Sequence, residues 1–185
     1  MDPMAFPRIT WQDVQQMPDD GKRREAIGGE LYVTPPPRIR HQEVSLALAV
    51  ALHEILVRGG YGKLFPAPVG VEFPATNEGV QPDLVFVAKE RDHIIDEGWI
   101  RGAPDLVVEI LSPSTEERDR GVKLRLYRRH GVPEYWIVDP EAGLVEVWDI
   151  RGEEPVCRRF TDRLPVRLDG EKVGSIDLRE VFPRA

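Results

Sequence analysis

The stretch "PDLVVEIL" (residues 104–111) constrains this chain more than any other. Val107, Val108, Ile110 and Leu111 are branched apolar residues of the kind that fill a buried strand, and Glu109 stands among them. An unpaired carboxylate in such a place costs so much that it takes up a proton instead. Glu109 must therefore face a cation, a metal ion or a water-lined cleft, and the fold has to deliver that partner.

The neighbouring elements can be read in outline. Thr10 with Asp13 resembles a capping box opening a short helix, "WQDVQQM", and "RREAIGGELYV" reads as a hairpin turning at Gly28 and Gly29. Residues 41–58 form the clearest helix, apolar almost all round from Val44 to Val57 and closed by Gly59 and Gly60, so it is buried on more than one side. Extended runs follow at 68–73, 82–88 and 104–111. Ser114 and Glu117 are placed as a second capping box, opening a helix that runs to Gly131, and "EYWIVD" (134–139) is the next strand. The order from 41 to 139 is helix, three strands, helix, strand. It implies an α/β (α+β) layered domain with a mixed sheet flanked by helices. At 185 residues a single unit is expected, with 1–40 as an N-terminal helix and hairpin packed on a core spanning 41–185.

Asp83 and Asp105 each follow a proline at a strand start, where an aspartate can simply cap backbone N–H groups. Asp105 and Glu109 share a strand face but lie about 13 Å apart, too far to bind one magnesium ion together, so Asp105 is read as structural. Asp83 on an adjacent strand can lie beside Glu109. Two carboxylates at that range repel unless a cation sits between them.

The segments "VQPDLVFVAKER", "GAPDLVVEILSPSTEERDRGVKLRLYRRHGVPEYWIVDP" and the upstream "RHQEV" resemble the Uma-two family of restriction-endonuclease-like proteins, within the PD-(D/E)XK nuclease superfamily. The resemblance implies a restriction-endonuclease-like core and a Mg²⁺- or Mn²⁺-dependent endonuclease acting on DNA. It matches Asp83 to the PD aspartate and Glu109 to the acid of the second half-motif. The lysine expected two residues later is replaced by Leu111, and Lys123 on the following helix stands in for it, within Asp119 to Lys123. Glu43 matches an extra acid on the first helix, and Gln81 is a weaker neighbour of the site. The implied metal ligands are Asp83, Glu109, Glu43 and the Ile110 carbonyl. Arg118, Arg120 and Arg125 would contact phosphates. His41 is read as serving the helix start.

Charge bounds the alternatives. A net charge of −7 argues against coating nucleic acid by bulk electrostatics, although 118–129 sets six cations against one acid. The N-terminal stretch lacks the regions of a signal peptide and no apolar run spans a bilayer, which points to a cytoplasmic protein without membrane contact. Cys157 is alone, and the four histidines show no ligand spacing. Apolar surface on the first helix and the late strands points to a homo-oligomer. Two rival readings stand beside the nuclease: a nuclease-fold nucleic-acid-binding module without catalysis, and an oligomeric interaction protein whose acidic cluster is structural.

Overall fold

The computed structural model describes residues 8–182; residues 1–7, the start of the expected N-terminal extension, and 183–185 lie outside the described part. In chain order the elements are α1 (Trp11–Gln15), β1 (Arg23–Ile27), β2 (Glu30–Thr34), α2 (Ile39–Leu52) continued by a π-helical turn (His53–Val57), β3 (Gly62–Pro66), β4 (Gly70–Phe73), β5 (Glu78–Val80), β6 (Leu84–Ala88), a 3-10 turn (Lys89–Ile94), β7 (Trp99–Arg101) and β8 (Leu106–Ile110). There follow α3 (Glu116–Arg118), a second π-helical turn (Asp119–Lys123), α4 (Leu124–Arg129), β9 (Glu134–Asp139), β10 (Leu144–Asp149), β11 (Val156–Phe160), β12 (Arg163–Leu168), β13 (Glu171–Asp177) and α5 (Leu178–Val181).

A six-stranded sheet in the order β11-β10-β9-β8-β6-β3 forms the centre; β8 and β9 run parallel and the other neighbours antiparallel. Side chains alternate across it with period two, which sorts them between two cores. Leu84, Phe86, Leu106, Val108, Ile110 and Trp136 pack on Val44, Leu48, Leu52 and Leu56 of the long helix. Val85, Val87, Val107, Tyr135 and Ile137 face the other way, toward Val71, Phe73 and Val80 of a second sheet and Leu126 and Tyr127 of α4. A sheet covered on both faces explains why its strands read as continuous apolar runs. The fold is a mixed α+β arrangement of the restriction-endonuclease-like kind, as the sequence implies.

The second sheet, β2-β1-β5-β4-β7, draws in the hairpin expected near the N-terminus: Ala26 of β1 pairs with Gly79 of β5. Gly28 and Gly29 adopt positive φ (+63° and +87°) at its turn, as a two-residue connection demands. The first capping box forms as read, with Thr10 and Asp13 bonding reciprocally. The second does not. Thr115, not Ser114, precedes α3 without a side-chain cap, because Ser114 turns to the Ser112 hydroxyl. Among the described residues no helix is long and apolar enough to cross a membrane.

Glu78 locks the hairpin to the helix that follows the central strand. Its carboxylate accepts from the Gly28 N–H at 2.7 Å, the Thr76 hydroxyl at 2.7 Å, Arg129 at 2.6 Å and His130 at 2.9 Å. Burial alone would raise its pKa, but these donors, His130 foremost, hold it at about 2 against an ordinary 4.5. A depressed carboxylate stabilises the fold fully above its unfolded pKa and loses that contribution as pH falls toward its folded one. Thermal melts are therefore expected to show a wild-type Tm that drops between pH 4.5 and pH 2. Glu78→Gln should start about 1–3 kcal/mol less stable at neutral pH and show a shallower acid drop; parallel acid profiles would contradict this.

Candidate functional site

The period-two register that fills both cores also decides where Glu109 points. With Val107 and Leu111 it faces the α4 side of the central sheet, where its surroundings are closed: it is 1% exposed. The helical segment after β8 carries its partner. The π-helical turn Asp119–Lys123 turns both end residues inward, and Lys123, fully buried, sets Nζ 2.7 Å from Glu109 Oε1. The Tyr127 hydroxyl donates to the same oxygen at 2.7 Å. Leu111, at the position where a lysine was expected, belongs to the apolar core.

Two further carboxylates close on Lys123. Glu25 Oε1 lies 2.9 Å from Nζ and Asp119 Oδ1 3.7 Å. Glu25 comes from the hairpin strand β1, and its Oε1 also accepts from the Gln81 backbone N–H at 3.0 Å. Asp83, one residue before β6, sits next to Glu109 across the antiparallel β6–β8 pair, where Leu84 faces Val108. Its Oδ2 accepts the Ile110 N–H at 2.7 Å and lies 3.2 Å from His41 Nε2, while Oδ1 is bridged by Arg23 at 2.7 Å. Four buried carboxylates thus face three permanent cations, Arg23, Lys123 and Arg118, and the imidazole of His41.

This imbalance shapes the protonation of the cluster. Burial pushes Glu109 up, and the neighbouring acids Asp119, Asp83 and Glu25 add to it against the pull of Lys123. Burial also raises Asp119. Lys123 stays charged: desolvation would lower it, but Glu109, Glu25 and Asp119 more than reverse that. Asp83 is buried as well, yet His41 and Arg23 hold it well below the usual carboxylate range. Glu25 Oε2 and Asp119 Oδ1 are enclosed without a hydrogen-bond partner among the described residues. The cluster holds one more carboxylate than it has permanent cations, and burial answers part of that excess by favouring a proton on Glu109.

Among the described residues no three His, Cys, Asp or Glu side chains converge as a ready cage for a metal. A hard cation that keeps its own water needs only one or two carboxylates and a few further oxygens. Those oxygens are present. Glu109 Oε2 accepts no hydrogen bond among the described residues, both donors going to Oε1. The Ile110 carbonyl points to the Asp83 side, because within a strand a residue's C=O and N–H share a direction and that N–H meets Asp83.

The remaining residues singled out in the sequence are placed differently from the expectation. Glu43 is exposed on α2 and makes no hydrogen bond or ion pair among the described residues; His41 reaches Asp83 instead, because two helix positions lie about 200° apart around the axis. Arg118 points inward to Thr34 at 2.8 Å and toward Glu25 at 3.7 Å, and Arg120 to Glu146 at 2.7 Å and Glu116 at 3.0 Å. Only Arg125 of the three stands in solvent. Asp105, as expected, is structural: it caps the Ala88 N–H and pairs with Arg91. A cleft of about 820 Å³ opens over Asp83, Arg23 and His41, walled by Thr34–Arg38, α2, Pro66–Pro68 and Ser112–Thr115.

Residues 11–171 match the family model Uma2, described as "Putative restriction endonuclease". The chain belongs to the Uma2 family. A solved structure described as a putative nuclease of DUF820, from Anabaena variabilis, superposes with a TM-score of 0.76, covering 94% of this chain and 97% of that one at 20% identity; it shows the shared fold. An uncharacterized protein of Synechocystis is 28% identical over 123 residues, 66% of this chain, and the match spans 63% of that relative's length.

Sequence reasoning missed Arg23, Glu25 and Tyr127, and gave His41 the helix start in preference to the site contact it makes with Asp83. A signal for Glu25 existed: in "RREAI" it shares a strand face with Ile27, so it is a carboxylate in the buried register, as Glu109 is.

Proposed function

We propose that this Uma2 protein is a metal-dependent endonuclease hydrolysing phosphodiester bonds in DNA, with Asp83, Glu109 and Lys123 at its centre. The observation that carries the reading is the excess of buried carboxylate at the foot of an open cleft. Asp83, Glu109 and the Ile110 carbonyl would hold a divalent cation, Mg²⁺ or Mn²⁺. Such an ion, when bound, supplies a water of lowered pKa and neutralises charge on phosphoryl oxygens. Lys123 fixes the Glu109 carboxylate through Oε1 and leaves Oε2 for the cation. Arg23, on the cleft wall, is placed to meet a phosphate. Glu25 replaces Glu43 in the proposal as the third acid, acting on Lys123. Arg125 is the one candidate phosphate contact retained from the basic stretch. A cytoplasmic location and self-association through the exposed Ile39 at the start of α2 and Val156 of β11 belong to the same reading.

The test is cleavage of labelled DNA with Mg²⁺, Mn²⁺ or EDTA by wild type and Asp83→Asn. Metal-dependent cutting that falls by at least about a hundredfold in the variant is expected, the scale on which one electrostatic stabiliser acts. No cutting by a folded wild type under any metal would favour the non-catalytic binding module.

A further inference from the structure

Among the described residues the cleft lining meets the cluster at Asp83, Arg23 and His41, and does not include Glu109, Lys123 or Glu25. Asp83 itself is 3% exposed. Six prolines stand in the walls: Pro35, Pro36 and Pro37 on one loop, Pro66 and Pro68 on another, and Pro113 beside the end of β8. Each fixes its own φ, so the walls resist the backbone change that would splay them open. The rest of the lining includes Leu46 and Ala49 of α2.

The cations that would grip a duplex are few. Duplex DNA carries about one charge per 1.7 Å, and affinity for it grows with the number of phosphates neutralised. The cleft lining offers two arginines, Arg38 and Arg23, and Arg23 already pairs with Asp83. In the basic stretch Arg118, Arg120, Arg128 and Arg129 spend donors on Thr34, Glu146, the Glu153 carbonyl and Glu78. A strand that bends a phosphate in between these walls does so at lower cost when it is unpaired, because no base pairs have to be broken. Its unstacked bases would find apolar surface on the prolines and Leu46, surface that a duplex has no use for.

We infer that the cleft accepts a single-stranded or locally unpaired segment of nucleic acid rather than an intact duplex. The inference rests on the nuclease reading and narrows its substrate.

Fluorescence anisotropy of a labelled oligonucleotide, single-stranded or annealed to its complement, tests it on the full chain in EDTA, where binding is read without cutting. Two variants isolate the cleft. Leu46→Glu adds a charge at a cleft-lining position that is 68% exposed, and Val50→Glu adds the same charge one turn along α2, at a position 56% exposed and outside the lining. The single strand is expected to bind at least about tenfold tighter than the duplex, the scale of stacking one base. Leu46→Glu should weaken single-strand binding by about tenfold, with Val50→Glu left at the wild-type value. Equal or tighter duplex binding, equal effects of the two variants, or no binding of either form would overturn the inference. The metal-site reading stands or falls separately, on Mn²⁺ binding without nucleic acid.

Discussion

Lys123→Met is expected to cost about 3–5 kcal/mol of folding stability, the loss that follows when one partner of a buried ion pair is removed. For a chain of this length that lowers Tm by about 10 °C or more. Lys123 is fully buried and is the cation to which Glu109, Glu25 and Asp119 all turn. Methionine fills similar volume, so the penalty isolates charge from packing. With the ammonium gone, carboxylates already in excess must either protonate or repel: Asp119 Oδ1 loses the cation 3.7 Å away, and Glu25 Oε2 keeps Arg118 at 3.7 Å. Combining Lys123→Met with Glu109→Gln should cost less than the two separate losses added together, because the second change removes one of the charges the first strands. Urea unfolding of the four proteins checks this. A Lys123→Met variant within about 1 kcal/mol of wild type, below the range for a broken buried pair, would mean the cluster does not depend on its lysine.

Glu109→Gln is expected to behave in the opposite way, folding normally and losing cleavage by about a thousandfold or more, the upper scale for removing one electrostatic group. Burial and three neighbouring acids already disfavour the ionised form of Glu109. Replacing the carboxylate with an amide of the same shape relieves that crowding, and the amide oxygen can still accept from Lys123 and Tyr127. Activity is another matter: with the amide oxygen held by Lys123 and Tyr127, the position of Oε2 becomes an NH₂ group, which offers a cation hydrogens in place of a charged oxygen. The contrast between the two variants separates structural from catalytic roles within one contact of 2.7 Å. Melting curves measured beside cleavage rates check it. A Glu109→Gln protein that unfolds like Lys123→Met would favour a purely structural ion-pair network.

Much of this arrangement was legible in the chain, for physical reasons that differ by residue. Glu109 stood out because an acid inside a branched apolar run has few explanations, whereas Lys123 was legible only through the family resemblance, which implies a lysine on the following helix. The two-sided burial of the central sheet followed from runs such as "LVFVA", which show no polar face. Strands β5 and β7 were not readable, since three residues carry no periodicity. Arg23 and Glu25 were obscured by their setting: a short hairpin strand rich in charge reads as exposed until a neighbouring sheet is laid against it. His41 and Glu43 lie on opposite sides of one helix, and only the docking of α2 decides which of them meets Asp83. The basic stretch misled for a related reason. The π-helical turn rotates Asp119 and Lys123 inward, and acids on other elements engage Arg118, Arg120 and Arg129.

On the nuclease reading, the partner that Glu109 takes beside Lys123 and Tyr127 is a divalent cation. Calorimetric titration of Mn²⁺ into wild type and into Glu109→Gln at matched pH tests it most directly. The account predicts saturable binding to the wild type that disappears in the variant. Equal binding by both proteins, or none by a folded wild type, would contradict it.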